Sequence, residues 1–243
     1  MKRSECIAPE LMTIREDIGT IVAASGPGMT CGFSFIGVTP LSPYTELPYA
    51  VSIMVQLDKA VASAVVDGPN AAYYAEYAAK NDMLDSVAQQ AASLILHAGW
   101  KGVAVAASKR TDHVNIKGDF PHKFAAVKAG LGWIGKSSLF ITREHGPWLR
   151  LTTVLTDAPL ALEVPLAKSY CGSCRKCVEA CPAGAIVGNA WTPGLPREDL
   201  VDVRCCDAWK IEHYGEFDAM ICGICMAVCP YGQKSRRRAC QGA

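Results

Sequence analysis

Twelve residues in the last third of the chain restrict its fold more than any other stretch. Residues 171–182 read Cys-Gly-Ser-Cys-Arg-Lys-Cys-Val-Glu-Ala-Cys-Pro, a C-x2-C-x2-C-x3-C-P run. A second, shorter run follows at Cys222-x2-Cys225-x3-Cys229-Pro230. From about residue 165 the regular apolar pattern gives way to this Cys/Gly/Pro-rich module. The start of the chain has no apolar run typical of a signal peptide, and no stretch is long and apolar enough to span a membrane. Both features predict a soluble, cytoplasmic protein. In such a reducing compartment, twelve cysteines point to metal rather than disulfides.

The spacing names the metal. Three thiolates from a tight C-x2-C-x2-C turn wrap one corner of a cubane iron–sulfur cluster, and the fourth cysteine, before proline, turns to a second cluster. Cys171, Cys174 and Cys177 are therefore expected to share one [4Fe–4S] cluster with Cys229. Cys181 joins Cys222 and Cys225 in the other. An unbroken run would put the last ligand at 219, which is Ala, so the replacement is Cys205 or Cys206. Paired runs with C-P endings match tetrahedral zinc spacing poorly. Cys6, Cys31, Cys240 and the spare member of the 205/206 pair read as small, apolar-tolerant side chains.

The 243 residues carry a net charge of +1, which gives no electrostatic footprint for nucleic acid. Arg236-Arg237-Arg238 reads as a solvated end. Upstream of the cysteines, the pattern predicts helices over 9–24, 70–98 and 121–129, and strands over 31–38, 49–57, 102–107, 138–142 and 149–156. The last two strands are expected to form a hairpin turning at His145-Gly-Pro147. Helices mixed with strands predict an α+β or α/β sandwich over 1–164, followed by the cluster module over 165–243.

Gly130-Leu-Gly-Trp-Ile-Gly135-Lys136-Ser137 fits the phosphate-loop pattern G-x4-G-K-[ST]. A phosphate loop runs from strand to helix. Here a helix precedes it and a strand follows, so the glycines read as a tight turn or as backbone close to a bulky ligand. On the 70–98 helix, Tyr73, Tyr77, Leu84, Ala88, Ala91 and Ile95 form an apolar stripe, broadened by Met83, Val87 and Leu94. Glu76 falls in line with those last three. It is either a partly buried acid able to donate a proton or a helix-start carboxylate reaching water. Asp82 and Asp85 lie on the polar side, and His122 reads as structural.

Asp119-Phe-Pro-His-Lys123, Ala129-Gly-Leu-Gly-Trp-Ile-Gly-Lys136, Leu151–Asp157, the Cys171 run, Arg204-Cys205, Ile211-Glu212-His213 and the closing Cys222…Cys229-Pro together resemble the epoxyqueuosine reductases. The resemblance implies a nitroreductase-like, cobalamin-binding α/β domain, akin to that of reductive dehalogenases, followed by a two-cluster ferredoxin-like module. It implies Cys205, by its spacing to Ile211-Glu212, as the displaced ligand. It implies corrinoid contacts from Gly130, Gly132, Trp133, Gly135, Lys136, Ser137, Ser138 and Ile211. Tyr74-Ala-Glu76-Tyr77-Ala78 is the counterpart of the family's acid segment, with Glu76 as proton donor. The chain matches a short form without the C-terminal helical-repeat domain that grips tRNA.

Three functions follow as expectations. The first is a cobalamin-dependent reductase whose two [4Fe–4S] clusters, fed by a ferredoxin- or flavodoxin-type donor, reduce a corrinoid acting on a small molecule rather than on tRNA. The second is an electron-transfer or activator protein that serves a partner's corrinoid. The third binds FMN or only a partner in the α/β domain.

Overall fold

A computed structural model describes residues 8–37, 46–161, 163–217 and 221–234. Cys6, Cys240 and the Arg236–Arg238 run lie outside them. The elements, numbered in chain order, are α1 (Pro9–Ala24), β1 (Met29–Phe35), β2 (Tyr49–Gln56), α2 (Lys59–Ser63), α3 (Ala71–His97), β3 (Gly102–Val105), α4 (His122–Lys128), β4 (Trp133–Ile134), β5 (Phe140–Ile141), β6 (Leu149–Thr156), α5 (Lys176–Glu179), α6 (Val203–Tyr214) and α7 (Ile224–Ala227). The mixed α+β class is as expected. Among the described residues no helix is long and apolar enough to cross a membrane.

The chain divides into two compact units, each built from three stretches. The first comprises Met1–Val55, Asn81–Gly130 and Leu151–Pro165; the second comprises Gln56–Lys80, Leu131–Arg150 and Leu166–Ala243.

In the first unit a four-stranded sheet has the order β1-β2-β6-β3. β1 and β2 are antiparallel, with Cys31 opposite Ile53, and β3 and β6 are antiparallel, with Val103 opposite Leu155. Its core joins one face of α1 (Leu11, Ile14, Ile18, Val22) to Val51, Ile53 and Val55 of β2 and to Leu84, Ala88, Ala91 and Ile95 of α3. The i, i+3, i+4 spacing in both helices accounts for those faces. Cys31 packs on this core, and burial pushes its thiol up to about 11. Asp82 is exposed, but Asp85 is not merely solvated: its Oδ1 accepts the Ala107 N–H at 2.7 Å. His122 is structural, its ring nitrogens 2.9 Å from Thr153 Oγ1 and 3.1 Å from the Ala106 carbonyl.

The second unit is held by Trp148. Its fully buried ring packs with Leu57, Val65, Tyr73, Ile221 and Met226, and its Nε1 donates to the Met226 carbonyl at 3.0 Å. Gly232 must lack a side chain because a Cβ there would lie 2.5 Å from the indole. These contacts tie residues 131–150 to the cysteine module. The expected 138–142/149–156 hairpin does not form. β5 pairs backwards with β4, Trp133 opposite Ile141, while β6 enters the four-stranded sheet. Gly132 permits this, since any Cβ there would run into the Ile141 carbonyl.

Candidate metal centre

Both cysteine runs open with the same local device. In Cys171-Gly-Ser-Cys174 and Cys222-Gly-Ile-Cys225 the glycine is left-handed, with φ of 54° at Gly172 and 95° at Gly223. Only glycine takes that conformation without steric cost, and it curls each turn so that the flanking thiols can face one centre. Short helices follow: α5 holds Cys177, and α7 holds Cys225, the closing cysteine of its turn. Among the described residues every cysteine is a free thiol.

The thiols fall into two neighbouring sets. Cys177 lies within electrostatic reach of Cys171 and Cys174, and Cys229 within reach of Cys171 and Cys177. Cys222 feels Cys181, and Cys206 feels Cys222 and Cys181. Cys225 feels Cys222, Cys206, Cys177 and Cys181, so the two sets adjoin. The expected first set of Cys171, Cys174, Cys177 and Cys229 is thus brought together, as are Cys181, Cys222 and Cys225.

Of the adjacent pair on α6, it is Cys206 whose side chain lies beside Cys181, Cys222 and Cys225 in this structure. Asp202 caps α6, its Oδ1 accepting the N–H groups of Arg204 and Cys205 at 3.0 Å each. Consecutive helical residues point about 100° apart. Cys206 therefore packs with Cys181 and Cys225 on the Ala185–Ile186–Val201 cluster, while exposed Cys205 donates its Sγ–H to the Ala183 carbonyl at 3.0 Å. The spacing to Ile211-Glu212 favours Cys205, whereas the helix start and the buried face turn Cys206 towards the other thiols.

The chemistry of these donors fits a cluster. Burial first, and neighbouring thiols second, raise Cys177 and lift Cys225 far above the thiol range. Burial also pushes Cys229 up to about 11 and raises Cys206 and Cys222, with a nearby thiol adding to each. Buried thiols beside like groups become stable thiolates only when a metal centre compensates their charge. Among the described residues no three His, Cys, Asp or Glu side chains converge closely enough to hold a single metal ion.

The Gly130–Ser138 loop supports the first set. Lys136 is buried, and its Nζ donates to the Cys174 carbonyl at 3.0 Å. A Cβ on Gly135 would strike the Ile141 side chain and sit 3.5 Å from Cys171 Sγ. Ser138 takes a left-handed φ of 58° to close the turn, its N–H donating to the Gly135 carbonyl at 2.9 Å. The loop follows α4 and enters β4, the reverse of a phosphate loop. Of the residues named as corrinoid contacts, Gly132, Trp133, Gly135, Lys136 and Ser138 are buried by the chain's own atoms. Gly130 and Ser137 are partly exposed, and Ile211 is 57% exposed.

The start of α3 attends the second set. Tyr73 lies against Gly223, which would bring a Cβ within 3.2 Å of its ring, and it is within reach of Cys225 and Cys222. Burial pushes its phenol up to about 12. Tyr77 meets Tyr73 edge-on and lies under the Arg150 guanidinium at 4.2 Å. Glu76, between them, accepts the Asp58 N–H at 2.8 Å and lies 3.9 Å from Lys80. On α6, Lys210 pairs with buried Asp207 at 3.0 Å and is close enough to lower the pKa of Cys206 and Cys222. Nothing in the sequence marks Tyr73, Lys136 and Lys210 as neighbours of the thiols. The repeated Cys-Gly-x-Cys was the signal for the turn that Tyr73 covers.

Comparison with known proteins agrees with this geometry. Residues 170–232 match the 4Fe-4S double cluster binding domain. The chain is 35% identical to an epoxyqueuosine reductase of Cyclobacterium marinum over 113 residues, covering 46% of this chain and 36% of that protein. It is 37% identical to the enzyme of that name from Vibrio cholerae over 119 residues, 44% of this chain and 30% of the relative. These matches therefore span well under half of the relatives' own length. Among solved structures, an epoxyqueuosine reductase with a modified tRNA-Tyr stem loop superposes with a TM-score of 0.63 at 17% identity, over 93% of this chain and 67% of that one. A catabolic reductive dehalogenase does so with a TM-score of 0.64 at 18% identity, over 86% and 31%. The fold is shared with both, and residues 170–232 form a module for two [4Fe–4S] clusters.

Proposed function

We propose that the chain is an iron–sulfur reductase of the epoxyqueuosine reductase kind, dependent on cobalamin and acting on a small molecule. The observation that carries this reading is the pairing of two neighbouring thiol sets with Tyr73 beside the second, on the helix that also carries Glu76 and Tyr77. Cys171, Cys174, Cys177 and Cys229 hold one cluster; Cys181, Cys206, Cys222 and Cys225 hold the other. When bound, the clusters supply one-electron transfer. The protein's own residues do the rest: Gly172 and Gly223 shape the turns, Lys136 braces Cys174, and the Lys210 charge faces the second set.

Cobalamin is supported by the fold shared with a reductive dehalogenase whose structure is described as suggesting a mechanism for B12-dependent dehalogenation. The 130–138 loop offers it no cradle, because Ile141 already fills the space above Gly132 and Gly135. Gly130, Ser137 and Ile211 keep surface for a contact. The net charge of +1 favours a small substrate over the tRNA stem loop bound by a relative.

One observation favours the second reading, an electron carrier for a partner's corrinoid. Glu76 already serves as an acceptor for Asp58 and a partner of Lys80, which is a structural duty. Anaerobic reconstitution with iron and sulfide, followed by titration with cobalamin and with FMN, tests the proposal. About eight iron per chain and a cobalamin spectral change are expected. Full iron loading with FMN binding and no response to cobalamin would contradict it.

A further inference from the structure

Electrons must reach the thiol-held centres from outside the chain, and one face of the second unit suits that exchange. Tyr170 precedes Cys171, and Tyr231 follows Cys229 by two residues. Their rings stand edge-on to buried Trp133, centroids 5.1 and 4.9 Å away, and Tyr231 Oη donates to the Tyr170 carbonyl at 3.0 Å. Three cations sit on this aromatic pair. Arg143 Cζ is 4.6 Å from the Tyr170 ring centre, Lys168 Nζ is 5.7 Å from the same ring, and Lys234 Nζ is 5.7 Å from that of Tyr231.

All three cations are exposed, and among the described residues none of them pairs with a carboxylate. The acidic residue next to Arg143, Glu144, lies 3.8 Å from His145 instead. Gly172 and Ser173, between Cys171 and Cys174, are also exposed, so little covers the first set on its turn side. Uncompensated cations around aromatic rings make a positive patch on a chain of net charge only +1. Such a patch steers an acidic partner and speeds its encounter about 10- to 1,000-fold at low salt. Tyr and Arg are also the side chains that interfaces favour.

We propose that Arg143, Lys168 and Lys234, over Tyr170 and Tyr231, form the docking surface for an acidic one-electron carrier protein that feeds the first thiol set. This rests on the two-cluster reading above. In each encounter the carrier is oxidised by one electron and the cluster held by Cys171, Cys174, Cys177 and Cys229 is reduced by one; no bond breaks and no proton moves. The second set, beside Tyr73, is then the exit.

The test is stopped-flow reduction of the reconstituted protein by flavodoxin hydroquinone across a salt series, for wild type and for Arg143→Glu/Lys168→Glu/Lys234→Glu. Photoreduction by 5-deazaflavin and the iron count serve as controls. At low salt the triple variant should react at least about tenfold more slowly and lose most of its salt dependence. Iron content and photoreduction should not change. Arg143→Lys alone, which keeps the positive charge, should react at the wild-type rate. An unchanged flavodoxin rate in a fully loaded triple variant overturns the docking surface alone. So does an unchanged rate joined to lost binding of a tRNA stem loop, which would assign the patch to nucleic acid. A wild type that takes up no iron contradicts the cluster reading itself and the docking surface with it.

Discussion

Glu76 Oε1 accepts the backbone N–H of Asp58 at 2.8 Å, joining the first turns of α3 to the start of α2. Asp58 in turn caps α2, its Oδ1 accepting from Ala60 and Val61. A glutamine at 76 keeps the acceptor oxygen and loses only the acid. Glu76→Gln should therefore melt like wild type, whereas Glu76→Ala should lose about 0.5–1.5 kcal/mol with the hydrogen bond. Single-turnover reduction of an accepted substrate separates the functional readings. The reductase reading predicts a fall of about 100-fold or more in Glu76→Gln; the carrier reading predicts an unchanged rate of electron delivery.

Trp148 fixes residues 131–150 against the cysteine module. Trp148→Ala should cost about 3–5 kcal/mol, as a large buried aromatic does. Trp148→Phe should cost less, because it keeps most of the ring packing but leaves the Met226 carbonyl without its donor. Denaturant midpoints of the cluster-free protein measure both. Because Met226 follows Cys225, iron retention should fall in the same order.

His145 gives the second unit an acid sensitivity. Burial holds its pKa below 6.5, and its Nδ1 is buried with no hydrogen-bond partner among the described residues. The unfolded chain then binds the proton more readily than the folded one, so this contribution to stability is complete above pH 6.5 and shrinks as pH falls below it. The thermal midpoint of wild type should drop more steeply below that pH than the midpoint of His145→Gln. Parallel curves would show that His145 does not titrate in this way.

Periodicity exposed the long elements. The 3.6-residue stripes on α1 and α3 and the apolar run of β6 were legible because each buries a regular face. The β4–β5 pair was not, because two-residue strands carry no period and their pairing depends on the missing Cβ of Gly132. Seven of the eight cysteines proposed for the clusters are read from spacing alone. For the eighth, spacing to Ile211-Glu212 favours Cys205, while the turn of the capped helix puts Cys206 beside the other thiols. The glycines of 130–135 suggest a ligand; in the structure Gly132 and Gly135 also pack closely against Ile141, and Gly135 against Cys171.

The most direct test of the two-set arrangement compares Cys206→Ala with Cys205→Ala by iron count and by the electron paramagnetic resonance of the reduced, anaerobically reconstituted proteins. Cys206→Ala should lose or convert one cluster, seen as a fall in iron from about eight per chain and loss of the coupling between two neighbouring reduced centres. Cys205→Ala should match wild type in both. Loss of a cluster in Cys205→Ala, with Cys206→Ala fully loaded, would contradict the account.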